Sequence, residues 1–152
     1  MSRALEDTVA LVTGATDGLG RGLAERLAAM GMSVHVHGRN ADKLARAHDE
    51  ILAATGNERV FTHRADLASL AEVRGLADEI GALDALHLLI NNAGIGSGLP
   101  DSPDREESVD GIELRFAVNY LAGFLLASLL RARLEASAPA RIVNVASAGQ
   151  QA

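Results

Sequence analysis

The sequence predicts one domain built on a parallel β-sheet with helices on both faces, and three observations carry that prediction. Five short apolar runs rich in β-branched residues recur along the chain. The stretches between them carry apolar residues at helical spacing. The first run closes on a glycine-rich turn that opens directly into a helix. Alternation of this kind is the pattern of an α/β sheet with crossover helices. At 152 residues there is room for a single domain with one core.

Each element follows from its own stretch. "TVALVTG" is apolar throughout and ends in glycine, as a strand buried on both faces should be. From Leu19 the spacing turns helical, with Leu23, Leu27 and Met30 on one stripe and Gly31 as the stop. "SVHVHG" is the second strand. Leu44, Ala47, Ile51 and Leu52 stripe the next helix, inside "ADKLARAHDEILAAT", which Gly56 closes. "RVFTH" is the third strand, and Leu70, Val73, Leu76, Ala77 and Ile80 stripe the helix after it. "LHLLINNAG" is the fourth strand. "GIGSGLPDSPDREESVDG" is the longest break and the segment expected to move most. A long helix is expected from about Ile112 to Ala136, with Leu114, Val118, Leu121, Leu125 and Leu129 on one face. Phe124, Leu126 and Leu130 widen its apolar surface, so it should bury two sides and offers a surface for homo-oligomers through 112–136. "RIVNVAS" is the fifth strand.

Composition narrows the function classes. A hydrophobic fraction of 48% makes the chain globular, and 3% aromatic makes its core aliphatic. The net charge of −6, with scattered basic residues, argues against a nucleic-acid or anionic-membrane surface. Having no cysteine excludes a disulfide scaffold or thiolate metal site and suits a cytoplasmic location. No secretory leader is visible at the start, and "FAVNYLAGFLLASLL" reads as too short to span a bilayer. No membrane partner is therefore expected.

"TGATDGLG" carries the chemistry of the first turn. Glycines at 14, 18 and 20 permit a tight turn and a close approach of backbone to ligand. The helix that starts there points free N–H groups and its positive dipole end at whatever binds, which suits a pyrophosphate. The alternative is a glycine-rich turn with no ligand. The first two βα units lead to a doubly wound, Rossmann-like nucleotide-binding fold, with strand order 3-2-1-4-5.

The spacing G-x-x-x-G-x-G resembles that of the short-chain dehydrogenase/reductase family, and other segments agree. "NNAG" (91–94) closes the fourth strand as in that family, and Asp66–Leu67 follows the third strand, where the family contacts adenine. "VDGIELRFAVNYLAGFLL" looks like the helix carrying the family's active-site asparagine, here Asn119. "RIVNVAS" looks like the strand that ends in its catalytic serine, here Ser147. The wording of the long helix is nearest the retinol-dehydrogenase-like branch. The resemblance implies a cofactor site made of Gly14, Thr16, Asp17, Gly18, Leu19 and Gly20 in the first turn. It adds Arg39 and Asn40, Asp66 and Leu67, and Asn92, Ala93 and Gly94.

Cofactor choice turns on "HVHGRN". An NAD-selective site wants a carboxylate at the end of the second strand, to bond the ribose 2′-hydroxyl. Here Gly38 leaves room for a 2′-phosphate, and the Arg39 guanidinium can bind one. NADP(H) is preferred, with NAD(H) the alternative; the other reading of Arg39 is a solvated turn residue. Asp17 supplies no second cation.

The resemblance implies hydride transfer between nicotinamide and a small-molecule carbonyl or secondary alcohol. The family's serine bonds the substrate oxygen, a tyrosine moves the proton with its pKa lowered by a lysine, and the asparagine holds a water. This chain departs from that pattern. Its one tyrosine is Tyr120, with Phe124 four residues on, and its one lysine is Lys43, on the second helix beside the expected ribose pocket. The expectation is a cofactor-binding domain over 1–152, C-terminally incomplete, with Ser147 and Asn119 but no Tyr-Lys pair, and inactive alone. The rival reading is a non-catalytic nucleotide-binding or interaction module. His35 and His37 share a face of the second strand, with packing or solvation expected rather than metal ligation. "DREESVD" is expected to be a solvated acidic loop.

Overall fold

The structure is a computed structural model that describes residues 4–96 and 105–146. Five parallel strands form one sheet: β1 (Val9–Val12), β2 (Ser33–Gly38), β3 (Val60–Arg64), β4 (Leu88–Asn91) and β5 (Arg141–Asn144). Their order is β3-β2-β1-β4-β5, as the sequence predicts. Registers such as Leu11↔His35 and Leu11↔Leu89 bring the C-terminal ends of β1, β2 and β4 to one rim of the sheet.

Three helices have simple bounds: α1 (Gly18–Ala29), α2 (Ala41–Thr55) and α3 (Leu70–Gly81). α2 and α3 start on side-chain caps, Asn40 accepting from Lys43 N–H at 2.9 Å and Ser69 from Glu72 N–H at 3.3 Å. Such caps satisfy donors that have no partner inside the helix. Gly56, at φ 66°, ends α2 in the left-handed conformation.

Alternation along the central strands sends side chains to two cores. Leu11 and Leu89 join Val73, Ile80, Leu126 and Leu130 on one face. Val12 and Ile90 join Ala24, Ala28, Val36 and Ile51 on the other. Each central strand is thus apolar on both sides, which explains why β1 reads as a continuous run.

The fourth helix, α4 (Leu114–Ala136), departs from the sequence expectation in three ways. It begins at Leu114 rather than Ile112, with Glu113 capping it by accepting from Phe116 N–H at 2.7 Å. It is 23 residues long and so, by length and composition alone, long and apolar enough to cross a membrane, which the shorter apolar segment concealed. Its middle is a π turn at Ala117–Leu121, where bonding runs i→i+5. The extra residue shifts the buried stripe from Ala117 to Ala122, Leu126, Leu130 and Leu134. Leu129, expected inside, is 42% exposed; one face of α4 packs through Leu126 and Leu130 against Val73 and Ile80, while Phe116, Tyr120 and Phe124 stand exposed.

Two further expectations change. Met30 is 51% exposed, because α1 meets the sheet through Ala24 and Ala28, whose small side chains allow close approach. The acidic loop is tethered rather than purely solvated: Asp110 accepts from Leu70 N–H at 2.8 Å, at the start of α3. Part of that long break, 97–104, lies outside the described residues. β5 is one of the sheet's two edge strands, and Ile142 and Val143 in it and Val145 just after it are each about two-fifths exposed.

Candidate functional site

A cleft of about 420 Å³ opens along the C-terminal rim of β1, β2, β3 and β4. Ligands in doubly wound sheets bind where the winding direction reverses, and here that point lies between β1 and β4. Every cofactor residue named from the sequence lines this cleft. The first turn brings Gly14, Thr16, Asp17, Gly18, Leu19 and Gly20; the end of β2 brings Arg39 and Asn40. Asp66 and Leu67 follow β3, and Asn92, Ala93 and Gly94 follow β4.

The turn is close-packed in a way that only glycine allows. Gly14 has φ 63°, and a Cβ there would lie 2.7 Å from Ala93 Cα. A Cβ on Gly20 would lie 2.2 Å from the Gly14 carbonyl oxygen and 2.3 Å from Asn92 Nδ2. At the end of β2, a Cβ on Gly38 would meet Thr16 Cγ2 at 2.3 Å. A carboxylate side chain at 38 therefore needs the threonine to turn away.

Hydrogen bonds lock the turn to its neighbours. The Thr13 hydroxyl donates to the Ile90 carbonyl at 3.3 Å and accepts from Asn92 and Ala93 N–H at 3.0 and 3.1 Å. The Asn92 amide donates to the carbonyls of Thr13 and Gly14, both at 3.0 Å. His37 completes the frame: its Nδ1 accepts from Gly14 N–H at 3.2 Å, and its Nε2 lies 3.0 Å from the Ala65 carbonyl. Since Nδ1 accepts, the proton sits on Nε2 and donates to Ala65, which fixes a neutral tautomer. Burial pushes the His37 pKa below the usual histidine value, in keeping with that assignment.

Sequence reasoning missed Thr13 and His37 as framing residues, whereas Lys43, expected on the second helix beside the cofactor pocket, does line the cleft. The period of two in "HVHG" was the available signal, because it places His37 beside the glycine turn. His35, on the same strand face, has its Nδ1 2.8 Å from His63 Nε2 and stacks on Phe61 at 5.0 Å. Both strand histidines are hydrogen-bonded components of the sheet rather than solvated ones. Asp66 spends Oδ1 on its own turn, accepting from Ala68 N–H at 2.9 Å.

A second cleft, of about 910 Å³, adjoins the first and is lined by Asn119, Tyr120, Gly123, Phe124, Asn91 and Asn144. Asn119 lies in the π turn and clamps the loop after β4: its Oδ1 accepts from Ile95 N–H at 2.8 Å and its Nδ2 donates to the Ile95 carbonyl at 3.0 Å. Asn91 donates to Asn144 Oδ1 at 2.9 Å, and its own buried Oδ1 has no hydrogen-bond partner among the described residues. Ser147 lies outside the described residues. Tyr120 stands 59% exposed in a stack with Phe116 and Phe124. Lys43 lines the first cleft and not the second, so the two residues do not come together in either.

Comparison with known proteins agrees with this geometry. The sequence pattern described as short chain dehydrogenase matches residues 8–152. Retinol dehydrogenase 11 of Mus musculus is 44% identical over 146 residues, covering 95% of this chain and 45% of that protein. Polyprenol dehydrogenase of Mus musculus is 43% identical over 145 residues, covering 92% and 42%. Among solved structures, a metagenomic short-chain oxidoreductase in complex with NADP superposes with a TM-score of 0.83 at 30% identity, covering 99% of this chain and 66% of that one. A short-chain dehydrogenase from Sphingobium yanoikuyae in complex with NADPH gives a TM-score of 0.79 at 27% identity, covering 93% and 54%. The chain spans less than half the length of these curated relatives.

Proposed function

The chain belongs to the short-chain dehydrogenase family, a family of oxidoreductases, and from that premise we propose that it forms the cofactor-holding part of an NADP(H)-dependent oxidoreductase. Its substrate on this reading is a small-molecule carbonyl or secondary alcohol. The observation that carries the proposal is the cleft itself, whose ribose end offers Arg39 and, at position 38, no carboxylate.

The residues present fit a dinucleotide. Gly14 and Gly20 pack the turn so closely that neither position has room for a side chain. The backbone N–H groups from Gly18 to Gly20 would hold the pyrophosphate, with the helix dipole assisting. Arg39 would hold a 2′-phosphate, Asp66 and Leu67 the adenine, and Asn92 to Gly94 the stretch toward the second cleft. When bound, the nicotinamide supplies or accepts a hydride. Asn119, by clamping Ile95, keeps the floor between the two clefts fixed. Ser147 is proposed to donate to the substrate oxygen. No Tyr-Lys pair stands ready to move a proton, so the 152 residues alone bind nucleotide without turning over.

A second reading, a non-catalytic nucleotide-binding module, is favoured by that same separation of Tyr120 from Lys43. It shares the first cleft and differs only in the chemistry.

Calorimetry of NADPH and NADH on the 152-residue chain, with Arg39→Ala alongside, tests the proposal. A charge-assisted hydrogen bond is worth about 1.5–3 kcal/mol, so NADPH should bind roughly 10- to 100-fold tighter than NADH. Arg39→Ala should erase most of that difference and leave NADH unaffected. Equal affinities that ignore Arg39→Ala would remove the basis for NADP(H), and NADPH oxidation by the chain alone would refute its inactivity.

A further inference from the structure

Asp17 occupies the N-cap position of α1 yet makes no side-chain capping bond. A carboxylate at that position ordinarily accepts from the N–H of the second or third helical residue. Here it is drawn elsewhere. Asp17 Oδ2 lies 3.2 Å from Lys43 Nζ, which reaches across from the first turn of α2. Both side chains line the dinucleotide cleft.

This pair is a poor contributor to stability. Its side chains are 58% and 72% exposed, and ion pairs so solvated are worth little to the fold. Its effect lies in where it leaves the carboxylate. Folded back onto α1, Asp17 would place a negative charge on the N–H groups that the proposed function assigns to the pyrophosphate. The strength of such a cap is the strength with which it would compete with an incoming anion. Lys43 is the only lysine in the chain, four residues after Arg39, and both line this cleft.

We propose that Lys43 is a positioning residue for dinucleotide binding, holding Asp17 off the start of α1 so that the backbone donors stay open to the ligand's pyrophosphate. The proposal rests on the dinucleotide reading of the cleft. It differs from a direct contact between Lys43 and a 2′-phosphate, because the pyrophosphate is common to NADPH and NADH. Removing Lys43 must therefore weaken both nucleotides alike, and removing Asp17 as well must undo the damage.

The test is calorimetric binding of NADPH and NADH to the 152-residue chain and to Lys43→Ala, Asp17→Ala and the double variant, with far-UV circular dichroism to verify folding. Lys43→Ala should weaken both nucleotides by about two- to fivefold, the most that a solvated ion pair worth up to about 1 kcal/mol can supply. Asp17→Ala in the same chain should restore both to within about twofold of wild type, a rescue that a purely structural role would not give. Loss confined to NADPH and not rescued would overturn the proposal in favour of direct phosphate contact. Unchanged affinity in Lys43→Ala would overturn it outright. Wild-type chain that binds neither nucleotide would overturn the dinucleotide reading and this proposal with it. Equal wild-type affinities for the two would count only against NADP(H) selectivity.

Discussion

Acidification from about pH 6.5 toward about 4 should destabilise this protein through His35. Burial, followed by the neighbouring His63, lowers the His35 pKa from 6.5 to about 4. The unfolded chain takes up a proton near pH 6.5 and the native chain does not until about pH 4. Stability from this group is thus complete above the higher value and is lost as pH falls through the window between the two. At about 1.4 kcal/mol per pH unit, the full window corresponds to roughly 3 kcal/mol. Geometry agrees with the sign, since His35 Nδ1 and His63 Nε2 face each other at 2.8 Å and only one proton fits between them. Urea unfolding at a series of pH values from about 7.5 down to about 4.5, which covers about 2.5 kcal/mol of that window, should move the midpoint by about 1.2 M for a slope near 2 kcal/mol/M. His35→Phe keeps a ring to stack on Phe61 and removes the titrating group. Its stability should fall less over the same range, by about 2–3 kcal/mol; some slope remains from His37, whose burial acts in the same direction. A variant that loses as much stability as wild type would refute the assignment.

Two further outcomes follow from the site. Gly20→Ala places a methyl group against the Gly14 carbonyl and the Asn92 amide, so α1 must retreat. We expect nucleotide affinity to drop at least about tenfold and stability by about 2 kcal/mol, read by calorimetry and urea melts; wild-type binding would show the turn to be looser than its contacts indicate. Asn119→Ala removes both bonds to Ile95 and should cost about 1–3 kcal/mol, with faster proteolysis next to Ile95 as the local readout. An unchanged midpoint and cleavage rate would rule out the clamp.

The sheet and the lining of the first cleft were legible because their signals are local. Glycines 14, 18 and 20 announce a turn that needs them, and alternating apolar runs announce strands buried on both faces. Gly38 followed by Arg39, at the end of the second strand, lines the same cleft. What was not legible depends on partners distant in sequence. Period alone put Met30 and Leu129 inside, but Ala28 and Leu130 took those places, because the helices sit on the sheet by their closest-packing faces. His37 could be placed on a strand face, yet its tie to Gly14 and Ala65 needs three segments brought together. Asp110 looked like one acid among several until the fold set it at the start of α3.

The π turn of α4 makes a single rod behave as two segments out of phase. Downstream of it, Leu126, Leu130 and Leu134 are answerable to the core; within it, Asn119 is answerable to the loop at Ile95. A regular helix would tie the two, so that turning one into register would swing the other out by most of a residue's rotation. The inserted residue releases that constraint. Substitutions on the core half can therefore accumulate without re-aiming the asparagine, whereas deleting one residue between 117 and 121 forces the chain to keep either its packing or its site.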